Sequence, residues 1–197
     1  MIKKFLLIIV LIFSLQSWTK ADDIRDFEIE GMSIGDSLLD YMSEEEIKKK
    51  MNFAYGGDEF FIIFYQSPTF LTYEGVQITS GNSENYTIQS LEGGNFTNNF
   101  DECKKMKTSV EKELVDLFPN LKVEYQEARK HWSDPSGLSK TITTNILFGK
   151  TYDEAGLIRI NCTDWSEKIE KEKGWNDNFR VIMNSKIFNI FLLSLES

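Results

Sequence analysis

Residues 59–66 read Glu-Phe-Phe-Ile-Ile-Phe-Tyr-Gln, a nearly continuous run of aromatic and β-branched side chains. Turn formers bound it, Gly56-Gly57 before and Ser67-Pro68 after. These are the residue types and the punctuation of a strand. Residues 70–79 follow the Ser67-Pro68 break, and residues 86–91 follow a Gly81-Asn82-Ser83 turn. Three sequential antiparallel strands are therefore expected, with Gly93-Gly94 closing the meander.

Upstream, residues 26–30 read as extended, and a turn over residues 31–36 leads into a short helix at 37–41. Ser43 with Glu46 forms a capping box, the acidic run 44–46 suits a helix N-terminus, and Lys48, Lys49 and Lys50 suit its other end. Downstream, Cys103, Met106, Val110, Leu114 and Leu117 recur at helical spacing through residues 101–118, and Pro119 stops the run. Strands are expected at 121–126, 140–148, 156–163 and 179–183, with a charged helix at 166–173. Ser185 then caps residues 187–195, apolar almost all round, as in a helix packed into a core or against a partner. Crossover helices are too few for a parallel sheet. The expected class is α+β, a mostly antiparallel sheet or sheets with helices packed on one face. The helix-then-strands order occurs twice, over residues 27–97 and 98–197, so two subdomains within a single domain 22–197 are the alternative organisation.

Lys3 and Lys4 precede an apolar stretch at 5–15 broken by Ser14, and residues 16–21 are more polar and end on Ala21. This is the layout of a secretory signal peptide over residues 1–21, with cleavage expected after Ala21. The apolar run is well short of the about 20 residues a membrane-spanning helix needs, so no stable span is expected after cleavage; an uncleaved anchor is the alternative. The expected location is the periplasm or the exterior. Losing Lys3, Lys4 and Lys20 takes the formal charge from −9 to −12. Such an acidic chain repels nucleic acid and anionic lipid and leaves cationic peptides, basic protein patches or divalent ions as partners, or a solvated acidic surface with none. At 41% apolar and 13% aromatic, it has the makings of a globular core.

The two cysteines, Cys103 and Cys162, suggest one bridge in an oxidising compartment. Cys103 lies on the helical apolar stripe, and Cys162 shares a strand face with Ile158 and Ile160, so both point inward. Two separate buried thiols are the other reading.

Gly35-Asp36-Ser37-Leu38 spells the tetrapeptide of the GDSL hydrolases. That resemblance implies Ser37 as nucleophile and Gly174-Trp175-Asn176-Asp177 as an oxyanion block. A serine hydroxyl needs an imidazole to take its proton. The single histidine, His131, stands before that block, with Ala128 and not Asp three residues ahead of it. The base is missing, and Asp36 and Ser37 read as the polar first turn of a helix.

A lone His131 does not make a zinc site, and Asp177 between Asn176 and Asn178 reads as a turn and not a calcium loop. Trp132, Trp165 and Trp175 fall near strand ends, where they either line a ligand or peptide groove or pack the core. Asn85, Asn95 and Asn161 each begin an Asn-x-Ser/Thr sequon, relevant only in a glycosylating host.

Ile29-Glu30-Gly31-Met32-Ser33-Ile34-Gly35 resembles the entry to SmpA/BamE-like envelope domains. There a Gly-Met-Ser/Thr turn leads into two short helices and a three-stranded meander. The resemblance implies a bacterial envelope protein that acts by binding partners. The chain is also similar to exported bacterial proteins in general, which implies location only. The expectation is an exported, non-enzymatic protein that binds an envelope protein or small ligand, with no catalytic, cofactor-binding or metal residue assigned. An esterase using Ser37 and a secreted effector or inhibitor are the alternatives.

Overall fold

The computed structural model describes residues 23–97 and 99–195; the expected leader and its cleavage point lie outside them. A short turn of 3-10 helix, Ile24–Asp26, is followed by the two-residue strands β1 (Glu28–Ile29) and β2 (Met32–Ser33). They pair around Glu30 and Gly31, whose φ values of 52° and 78° are left-handed. That backbone is uncommon for a glutamate. The Glu30 carboxylate offsets it by accepting the backbone N–H groups of Leu71, Thr72 and Tyr73 at 2.7 to 2.8 Å. Ser37 caps a second 3-10 turn, Leu38–Asp40. Helix α1 (Glu44–Lys50) starts on the Ser43/Glu46 capping box.

The chain continues through β3 (Phe60–Tyr65), β4 (Gly75–Gly81) and β5 (Ile88–Phe96), then α2 (Phe100–Leu117). Strands β6 (Lys122–Lys130), β7 (Lys140–Leu147) and β8 (Leu157–Asp164) follow, then α3 (Glu167–Lys173), β9 (Asn178–Asn184) and α4 (Lys186–Leu195). Among the described residues, strands β3 to β9 form one seven-stranded antiparallel sheet in the order β3-β4-β5-β9-β8-β7-β6. The fold is α+β. The first meander ends at β5. Helix α2 then carries the chain to the far edge, and the second meander walks back until β9 pairs with β5, from Ser90↔Asn184 to Phe96↔Asn178.

Strand alternation gives this sheet two faces. One carries Phe61, Ile63, Ile78, Leu91, Ile158 and Ile160, all buried, with α2 and Ile47 of α1 over it. There Cys103 of α2 meets Cys162 of β8 at bonding distance, Cα atoms 5.7 Å apart, within the span a disulfide bridges. Lys107, one turn on, is only 8% exposed. Its ammonium bonds Glu111 and the Thr144 hydroxyl, so the charge is buried with partners. Helices α1 and α2 thus take the expected side. Helix α4 adds a cap on the other face, where Phe188 and Phe191 pack on Phe60 with ring centroids 5.4 and 4.7 Å apart.

Three local expectations shift. Strand β4 starts at Gly75 and not near residue 70, because Glu30 already holds the N–H groups of residues 71–73. Gly93 and Gly94 do not end the meander but lie within β5. A Cβ on Gly93 would meet the Tyr73 ring at 2.6 Å, so the residue serves close approach. Leu117, read as part of the buried stripe of α2, is exposed.

Two outcomes follow from this packing. Reducing the Cys103–Cys162 pair opens a loop spanning a sequence separation of 59 residues and lowers stability by about 4 kcal/mol on the loop-entropy model, read as a drop in denaturation midpoint with reductant. Gly93→Ala forces the Tyr73 ring to move and costs about 1–3 kcal/mol, read by thermal unfolding against a Gly94→Ala control.

Candidate functional site

The β6–β7 connection, residues 131–139, is organised by one carboxylate. Asp134, 4% exposed, accepts the Ser136 N–H at 2.9 Å and hydroxyl at 2.6 Å on one oxygen. Its other oxygen accepts the Ser139 N–H at 2.9 Å, the Ser139 hydroxyl at 2.6 Å and the Ser166 hydroxyl at 3.0 Å. The Ser166 N–H donates back to the Ser139 hydroxyl at 2.9 Å. Loop and α3 N-terminus are thereby locked together. The hydroxyls of Ser136 and Ser139, followed by their N–H groups, hold the Asp134 carboxyl well below the usual carboxylate range.

That loop carries an aromatic ladder. Trp132 stacks on His131 with centroids 5.8 Å apart, while His131 meets Trp165 at 4.3 Å and Trp165 meets Trp175 at 4.7 Å with tilted rings. Lys173 lies 4.5 Å over the Trp175 ring. The inner indole is buried while Trp132, at the tip, is 90% exposed. The Ser133 N–H donates to His131 Nδ1 at 3.2 Å, which places the proton of the neutral ring on Nε2. Burial first, then Arg180 and Arg129, push the His131 pKa down.

Beside the ladder lies the sheet face opposite the disulfide. Its rows, read from the register, are polar: Gln126, Thr143, Asn161 and Arg180 in one, Glu124, Asn145 and Arg159 in the next. Glu92 holds Arg180 at 2.7 Å. Asn145 accepts from Arg159 Nε at 2.9 Å and donates to Tyr152, which donates to Glu124. Among the described residues, the buried atoms Gln126 Oε1, Asn161 Oδ1, Asn178 Oδ1, Trp165 Nε1 and Thr97 Oγ1 have no protein hydrogen-bond partner. Native interiors leave few such groups; Gln126 and Asn161 share one row of this face and Asn178 lies in the next.

The structure brings together the three tryptophans singled out in sequence, and adds His131, Arg129 and Arg180, which spacing did not reveal. Ser37 is elsewhere. Its hydroxyl donates to the Asn85 carbonyl at 2.8 Å and accepts from the Leu39 N–H, and Ser37 is bridged to Thr87 just before β5. Strand β5 and strand β6, which leads to His131, are four strand spacings apart, about 19 Å. Asp36 accepts from the Ser33 N–H and the Tyr41 hydroxyl. Asp177, in the second GDSL-like block, accepts from the Trp165 N–H at 2.7 Å, and burial raises its pKa. Asn85 is exposed, whereas the Asn95 side chain is tied to Glu74 and Thr72 and Asn161 is on inner strand β8. Among the described residues, no three His, Cys, Asp or Glu side chains converge as metal ligands, and no helix is long and apolar enough to cross a membrane.

Comparison with protein-family models, curated proteins and solved structures finds no match to this chain.

The Asp134 clamp sets a pH dependence. Its folded-state pKa lies below the unfolded value near about 3.9, so its contribution to stability is complete above that range and fades as pH falls toward the folded value. Asp134→Asn lowers stability at pH 7 and flattens the acid limb, measured by thermal unfolding from pH 7 to pH 2.

Proposed function

We propose that this chain is an exported, non-enzymatic protein that binds a partner through the 131–139 loop and its tryptophan. The observation that carries the reading is Trp132, an almost fully exposed indole on a loop that Asp134 holds by five hydrogen bonds. Exposed indoles on rigid supports give large contact area at low entropic cost, and tryptophan is prominent among interface anchors. Export is supported by the leader layout at residues 1–21 and by the bonded cysteine pair, which persists in oxidising compartments. The likeness of residues 27–97 to SmpA/BamE-like domains belongs to the same proposal. It is supported by the order of a turn at Glu30-Gly31, two short helical segments and the meander β3 to β5. Such domains act by binding, with no catalytic residues.

Intact-mass analysis of protein recovered outside the cytosol tests the address: the chain begins at Asp22 with both thiols oxidised. A retained N-terminal Met or freely alkylated cysteines sink it. Trp132→Ala tests the binding loop. With unchanged stability, it loses about 2 kcal/mol or more of affinity for the partner recovered from the envelope fraction; undiminished binding rejects the loop as the contact.

A further inference from the structure

We propose that the long polar side chains on the β6 to β9 part of this sheet face dock a carboxylate-rich segment of a partner protein, with Trp132 as the flanking anchor. This deepens the binding reading above and rests on it. The chain has four arginines against eighteen lysines. Three of the four, Arg129, Arg159 and Arg180, lie on this face by register, in rows that contain no lysine. A solvated surface would draw on the commoner cation. A planar guanidinium fork suits carboxylates, and interfaces favour arginine and tryptophan over lysine. Glu92 engages Nη1 of Arg180, yet the Arg180 side chain is 41% exposed, and Arg129 is exposed at the edge.

Local charge runs against the whole. The chain carries −9, but at His131 the influence of Arg180 and of Arg129 each outweighs that of Asp134. In these rows Arg129, Arg159 and Arg180 stand against Glu92 and Glu124, an excess of one positive charge on a protein that is negative as a whole. The unpartnered polar atoms independently favour a peptide. Asn178 and Trp165 are both more than nine-tenths buried, and with Asn161 and Gln126 they leave three amide oxygens and one indole N–H without a protein partner, just beneath this surface. Sulfate or an isolated carboxylate only accepts hydrogen bonds and satisfies the indole alone. A peptide backbone has both N–H and C=O to give.

Tryptophan emission and calorimetry on the full mature chain test this, using as probe a twelve-residue peptide alternating glutamate and alanine. Its lysine counterpart, inorganic sulfate and phosphatidylglycerol vesicles are the other arms. At low salt the acidic peptide binds, and Arg129→Gln weakens it about tenfold; adding Arg180→Gln abolishes binding, and Lys171→Gln changes nothing. Arg129 is exposed, so its single variant folds even if the double one does not. Failure of the acidic peptide to bind, tighter binding of the lysine peptide, equal competition by sulfate, binding to vesicles, or unchanged affinity in Arg129→Gln overturns the proposal. If the peptide fails while Trp132→Ala still loses the envelope partner, the loop stands and the carboxylate assignment falls.

Discussion

The structure depends on the pairing of β5 with β9. Seven residue pairs join strands about ninety positions apart in the chain, so the loop-closure entropy is large and must be met by what the pairing creates. Two meanders, each with exposed edges, become one sheet with a shared hydrophobic face. The bond from the Ser90 hydroxyl to Asn184 Oδ1, 2.6 Å and buried, and the Arg180–Glu92 ion pair sit on this seam. Helix α2 packs against β8 and β9, and the Cys103–Cys162 pair fixes it there.

Joining the meanders also decides what is left uncovered. The face under α1 and α2 is apolar and closed, whereas α4 reaches only the Phe60 end of the other. On β6 to β9 the arginines keep solvent contact, while Thr143, Asn145, Thr163 and Asn178 beneath them are buried. At the end of these strands the Asp134 clamp fixes the 131–139 loop, and three contacting rings run from the buried Trp165 through His131 outward to Trp132. Rigidity and exposure together distinguish a binding indole from a stray surface apolar residue.

Much of the local structure was legible in the residues. The capping box at Ser43 and Glu46, the stop at Pro119 and the strand character of residues 59–66 rest on interactions within a few positions of one another. The inward direction of Cys103 and Cys162 was visible too, since each shares a periodic apolar face. Less was legible where a distant group intervenes. The start of β4 depends on a carboxylate from Glu30, more than forty residues upstream. Gly93 follows the Tyr73 ring and not a turn. The burial of Lys107 depends on Thr144 of β7, more than thirty residues downstream, together with Glu111 on its own helix.

The site divides in the same way. Sequence marked Trp132, Trp165 and Trp175 as notable, because residue type and position near strand ends suffice for that judgement. Sequence alone determined the element types, the α+β class and the inward-facing cysteine pair, since periodicity and capping are short-range properties. Only tertiary structure decided the strand order, the side on which three arginines gather and the joining of His131 to the tryptophans. Those follow from hydrogen-bond register between segments tens of residues apart, which no local pattern encodes.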